Sequence, residues 1–303
     1  MRFRATIQNV PTFYRLIQTV EKLQKKCIIN FSETSMRIIC NQEEGGVHVW
    51  SKIRIDALFT DYRILSHSNN EITLNLPTDA LSTALRSASA EHTGANEVVM
   101  KLAKKKNVPV LSFEIFGTTQ MGRRVKVAHD VRIEVMKPAD VALLTEPRCP
   151  EPDVQIMLPP LTKMRGVIER MRNLSDVIAV RANSSGCLRL SASTEVVKAD
   201  ITWNNCSHPR MTGDNPSQAR AGAEDGRGEE DREPEPERPD PTHLFSVLVH
   251  ARSLLKFLNA HAVSKTTIAC ICQGHCLILF VYIGDSTDVG GVLTFYIPSV
   301  LDD

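Results

Sequence analysis

Cys270, Cys272 and Cys276, with His275, put three thiols and an imidazole on one short segment, residue types that bind a soft metal. Zinc takes paired cysteines two to four residues apart but also needs a matching second pair, which this segment does not supply. Ile268, Ala269 and Ile271 around them read as core, so buried structural thiols and no metal are expected. His129 beside Asp130 offers two parts of an acid–base dyad, but neighbours on a strand point to opposite faces. Gly45-Gly46 reads as a turn, since no glycine-rich phosphate loop ending in Lys-Ser or Lys-Thr occurs in the chain. Lys104, Lys105 and Lys106 have the composition of a nuclear import signal, and a solvated hairpin tip before Asn107 is the preferred reading. The acids concentrate between 205 and 241, where no fixed geometry would hold two carboxylates for metal or general acid–base work. No catalytic centre and no cofactor site emerges, and the chain is not read as an enzyme.

The elements that carry these residues repeat. Residues 2–8 alternate as a strand, and Phe13, Leu16, Ile17, Val20, Leu23 and Cys27 then recur at helical spacing after Pro11. Strand-like segments follow near 28–32, 35–41 and 47–56. The same order returns with a strand at 70–76, a helix from Thr78, and strands near 97–103, 108–116 and 123–137. It returns again with a strand at 153–158, a helix through Leu161, Met164, Ile168 and Met171, and strands near 176–183, 187–194 and 196–204. The fourth copy has a strand at 243–250, a helix through Leu254, Phe257 and Leu258, and strands near 266–273, 276–283 and 289–297. Four β-α-β-β-β units predict an α+β fold of two similar domains, with helices on one face of antiparallel sheet.

The predicted domains span 1–137 and 153–303. A connector over 138–152 sets Pro138, Pro147, Pro150 and Pro152 around the apolar Val141, Leu143 and Leu144. Residues 205–241 contain six Pro and four Gly but no Val, Ile, Leu, Phe, Tyr or Trp, which predicts a disordered acidic insertion. Eight scattered cysteines predict reduced, mostly buried thiols. The longest apolar run, Cys276 to Ile283, is too short for a membrane span, and the chain opens on a strand pattern without a signal segment, so an intracellular protein is expected.

The formal charge of +1 is a sum of unlike parts. The insertion holds ten acids and five arginines, a net −5, which leaves +6 on the rest. With helices over 10–26, 78–89, 160–173 and 251–261, the basic residues are Arg15, Lys22, Lys25, Lys26, Arg86, Lys163, Arg165, Arg170, Arg172, Arg252 and Lys256. Glu21, Asp79 and Glu169 are the only acids there, so these segments carry +8. Arg15, Lys22 and Lys26 would fall within about 40° on one face of the first helix. Basic helices without base-reading motifs suit sequence-independent contact with duplex phosphates. An aromatic content of 5% argues against single-strand binding by stacking.

Several segments resemble one family, the Hus-one subunit of the heterotrimeric nine-one-one DNA damage checkpoint clamp, a relative of the PCNA-like sliding clamps. They are MRFRATI at Met1, GGVHVW at Gly45, NNEITLNL at Asn69, VAHDVRIEV at Val127, LLKFL at Leu254 and FYIPSV at Phe295. The longest and most specific runs from Glu146 to Ser175, EPRCPEPDVQIMLPPLTKMRGVIERMRNLS. The resemblance implies a nuclear ring of three different subunits, with helices lining a positive central hole around double-stranded DNA and sheets outside. It implies Rad-nine and Rad-one type partners joined through edge strands, for which 108–116 and 176–183 are expected. It also implies loading by a separate clamp loader, and docking of repair and checkpoint proteins beside Val141, Leu143 and Leu144. The alternative is a homotrimeric replication processivity clamp. A nuclease would need a carboxylate cluster that the folded part of the sequence does not offer.

Overall fold

The computed structural model describes residues 1–41, 46–89, 95–118, 122–209, 240–264, 266–285 and 288–300, so Gly45 and most of the predicted acidic insertion, 210–239, lie outside the described residues. Strand β1 (Arg2–Ile7) leads into α1 (Val10–Glu21). The helix starts where the Thr12 N–H donates to Asn9 Oδ1 at 3.2 Å and Pro11 occupies the first turn. Strands β2 (Lys26–Phe31), β3 (Ser35–Cys40) and β4 (His48–Arg54) follow, then a single turn, α2 (Ile55–Leu58), and β5 (Phe59–Leu65). The next unit comprises β6 (Ile72–Pro77), α3 (Thr78–Ser89), β7 (Ala95–Lys105), β8 (Val108–Thr118), β9 (Arg124–Arg132) and the two-residue β10 (Glu134–Val135). A short helix, α4 (Pro138–Ala142), opens the connector. Beyond it come β11 (Val154–Met157), α5 (Leu161–Arg172), β12 (Val177–Ala182), β13 (Leu188–Ser193) and β14 (Lys198–Trp203). The last unit has β15 (Phe245–His250), α6 (Ala251–Phe257) prolonged by a 3-10 turn over Leu258–Ala262, β16 (Thr267–Cys272), β17 (Cys276–Asp285) and β18 (Asp288–Pro298).

A nine-stranded sheet, in the order β10-β6-β2-β3-β4-β18-β17-β16-β11, crosses both halves of the chain. Its two halves meet where β4 pairs antiparallel with β18, from Ile53 opposite Gly291 to His48 opposite Tyr296. The seam requires glycine, because a Cβ on Gly291 would stand 2.7 Å from the Lys52 carbonyl oxygen and 2.8 Å from Ile53 Cα. A five-stranded sheet, β5-β1-β7-β8-β9, and a four-stranded sheet, β14-β13-β12-β15, complete the fold.

The helices form one layer. α1 packs on α3 and α5 on α6, while α1 meets the 3-10 turn, where Thr19 Oγ1 donates to the Asn259 carbonyl at 3.4 Å. Their apolar stripes, among them Phe13, Leu16, Leu85, Ile168 and Phe257, close on the inward residues of the strands in one continuous core.

Four expectations are corrected. The first helix does not reach residue 26: the N–H groups of Leu23 and Gln24 both close on the Val20 carbonyl, and the chain turns into β2. The run Cys27-Ile28-Ile29 favours extended backbone, and it is captured by β6, with Lys26 opposite Pro77. Strand β5 was not expected, because Asp61 sits at positive φ beside a register shift and breaks the alternation. The expected edges at 108–116 and 176–183 are interior, since β8 lies between β7 and β9 and β12 lies between β13 and β15. The half-exposed β9 and β14 are edges instead. The predicted insertion also begins later than residue 205. The Cys206 N–H donates to the Gly186 carbonyl at 2.9 Å, and the Met157 N–H to the Ser207 carbonyl at 2.8 Å, so this segment covers the free edge of β11.

Candidate nucleic-acid interface

The outward side of the helix layer gathers most of the basic residues singled out in the sequence. Arg15 is exposed on α1, and Lys22 caps its C-terminus. Lys25 lies in the following turn and Lys26 begins β2, both exposed. Arg86 is exposed in the last turn of α3. On α5, at about 100° per residue, Lys163 and Arg170 share one flank and Arg165 and Arg172 the other. Within their observed bounds, α1, α3, α5 and α6 with its 3-10 turn carry eight cations and three acids, a net +5 rather than the +8 expected. All of that excess is in the C-terminal half, because Arg15 is offset by Glu21 on α1 and Arg86 by Asp79 on α3. Basic residues near the C-termini of α3, α5 and α6 also sit favourably against the helix dipoles.

Between α5 and α6 lies a cleft of about 930 Å³ that brings Arg165, Arg172, Arg252 and Lys256 together with Glu169 and Asp176. Arg165 Nε donates to Glu169 Oε1 at 2.9 Å and its Nη1 to Asn259 Oδ1 at 3.2 Å, which fixes the guanidinium across the helix pair. The Asn259 amide in turn donates to the Lys256 carbonyl at 2.9 Å. Asn259 was not singled out in the sequence, and only the meeting of α5 with the 3-10 turn gives it a role.

The opposite face of the nine-stranded sheet carries the connector. Ile28, Ile39 and Trp50 point away from the helices and pack with Met136, Leu144 and Tyr296. Leu144 is therefore partly covered, Val141 is half-buried, and Leu143 stands 79% exposed. Tyr296 Oη donates to Glu146 Oε1 at 2.7 Å and pins the middle of the connector. Burial first, and then this carboxylate, push the Tyr296 phenol well above its ordinary range, so it remains a neutral donor. Trp50, Met136 and Tyr296 were missed as parts of this patch. The alternation of HVWSKI, which sends Trp50 to the face opposite Val49 and Ser51, is the signal that marks one of them.

The other sequence candidates fall apart as sites. Lys106 and Asn107 both have positive φ and form the two-residue tip of the β7–β8 hairpin. Lys105 is ion-paired with Asp130, which points away from His129 along β9. This pairing, first of all, holds the Asp130 carboxyl below its usual range. Cys270, Cys272 and Cys276 are buried free thiols, and no metal-holding cluster of His, Cys, Asp and Glu occurs among the described residues.

Comparison with known proteins gives one consistent result. A family model described as Hus1-like protein matches residues 1–301. The chain is 32% identical over 306 residues to Checkpoint protein hus1 of Schizosaccharomyces pombe, covering 100% of both chains. It is 28% identical to human Checkpoint protein HUS1, over 99% of this chain and 100% of the relative. Among solved structures it resembles the Proliferating Cellular Nuclear Antigen of Entamoeba histolytica, with a TM-score of 0.68 over 99% of each chain at 13% identity. That likeness establishes the fold, a PCNA-like clamp with two similar α+β domains.

Proposed function

The chain belongs to the Hus1-like family, and from that premise we propose that it is a non-catalytic subunit of a heterotrimeric checkpoint clamp that encircles duplex DNA in the nucleus. The observation that carries this reading is the single helix layer with its excess of basic residues, while the connector patch lies on the far side of the sheet. A ring retained by topology needs only weak, sequence-independent phosphate contacts, and lysine and arginine on helices supply them without reading bases.

In this reading Arg15, Lys22, Lys25, Lys26, Arg86, Lys163, Arg165, Arg170, Arg172, Arg252 and Lys256 face the DNA. The unequal charge of the two halves supports a stronger contact in the C-terminal one. The domains run over 1–137 and 153–303, with the connector at 138–152. Edges β9 and β14 pair with Rad-nine and Rad-one type subunits by strand addition, which completes their open ladders. A separate ATP-driven loader opens the ring, and repair and checkpoint proteins dock beside Val141, Leu143 and Leu144 for signalling and repair.

The test is retention of the assembled clamp on nicked circular duplex at rising salt. Replacing Arg172 and Arg252 by Glu is expected to shift loss of retention to lower salt and to leave subunit stoichiometry unchanged. The pair Arg15→Glu and Lys22→Glu is expected to give a smaller shift. Unchanged retention in both would overturn the pore assignment.

A further inference from the structure

The thiols that first suggested a metal site meet a fourth cysteine from the connector. Cys272 and Cys276 face one another across the β16–β17 hairpin. Cys149 packs over them with Ile268, Phe280 and Tyr296. Cys149 is half-exposed, whereas Cys270, Cys272 and Cys276 are buried. The connector is already held here by Tyr296 on Glu146, by Cys272 Sγ donating to the Pro150 carbonyl at 3.5 Å, and by the Gln273 N–H donating to Asp153 Oδ2 at 2.7 Å. With Cys272 engaged on Pro150, Cys276 is the thiol presented to Cys149.

We propose that Cys149 and Cys276 form a peroxide-responsive dithiol site that covalently ties the connector to the outer face of the nine-stranded sheet. Cys149 meets solvent and reacts first. It loses its proton, its sulfur attacks one peroxide oxygen, the O–O bond breaks, and the departing hydroxide takes a proton to leave as water. Cys276 then attacks the Cys149 sulfenyl sulfur; its proton passes to the leaving hydroxyl, the S–O bond breaks, and a second water departs as the disulfide forms. Two thiols lose two electrons and two protons, and one hydrogen peroxide is reduced to two waters. Burial and the neighbouring thiols push Cys276 well above the ordinary thiol range, which suits a resolving rather than a peroxide-attacking role.

The experiment treats the reduced full-length chain with hydrogen peroxide, blocks remaining thiols with N-ethylmaleimide and maps disulfide-linked peptides by mass spectrometry. The expected product joins the peptide beginning at Cys149 to the C-terminal peptide holding Cys276. The link is expected to persist in Cys272→Ser and to vanish in Cys276→Ser, where Cys149 sulfenic acid becomes trappable by dimedone. Cys149→Ser changes a half-exposed position and keeps the test independent of core folding; it is expected to abolish every link to the connector and to leave Cys272 and Cys276 as free thiols. A link that survives Cys276→Ser, a Cys272–Cys276 disulfide in Cys149→Ser, or oxidation confined to Cys187 and Cys206 would each overturn the proposal.

Discussion

Cys27 and Cys40 lie in the core beneath the helix layer, and burial alone pushes the Cys27 thiol up to about 12 from an ordinary value of 9.0. Burial first, and then Cys27, raise Cys40 as well. Above pH 9.0 the unfolded chain releases thiol protons that the folded chain keeps until about pH 12, so stability falls as pH rises through that window. The urea midpoint is expected to drop between pH 9 and 11, and Cys27→Ala is expected to flatten the decline; an unchanged slope would contradict this origin. The burial of these residues was legible in their apolar neighbours. The roles of Asn259, Trp50 and Tyr296 were not, because each depends on partners distant in sequence.

Helices and strands were legible wherever one periodicity ran undisturbed, as in LTKMRGVIERMR of α5, whose buried Leu161, Met164, Ile168 and Met171 match the expected stripe. Strand order was not, because pairing is set by contacts between remote segments. The apolar density of VLSFEIF in β8 fits the interior position the structure gives it, not the edge expected, whereas β9 and β14 have the sparser burial of edges. At the seam of β4 and β18, Gly291→Ala forces a methyl group against the Lys52 carbonyl and is expected to cost about 1–3 kcal/mol, measured from the urea midpoint. A midpoint equal to the parent's would show that the seam opens without strain. At the β13–β14 hairpin tip, Val196 is 90% and Val197 48% exposed beside the open edge of β14. Replacing both by Asp is expected to leave monomer stability within about 0.5 kcal/mol while weakening assembly with the subunit that pairs there, measured by sedimentation.

Across the whole molecule the near-neutral charge conceals an uneven distribution. The acids of 205–241 offset a basic remainder, and the helices' own excess falls in the second half. Removing residues 210–239, leaving the hydrogen-bonded Cys206 and Ser207 in place, is expected to leave the melting temperature unchanged; removing 205–241 is expected to lower it by uncovering β11. The central claim concerns assembly, and the most direct measurement is the stoichiometry, by light scattering, of the chain alone and after co-expression with Rad-nine and Rad-one type subunits. A monomer that enters a one-to-one-to-one complex is the predicted result. A stable homotrimer formed by the chain alone would contradict it.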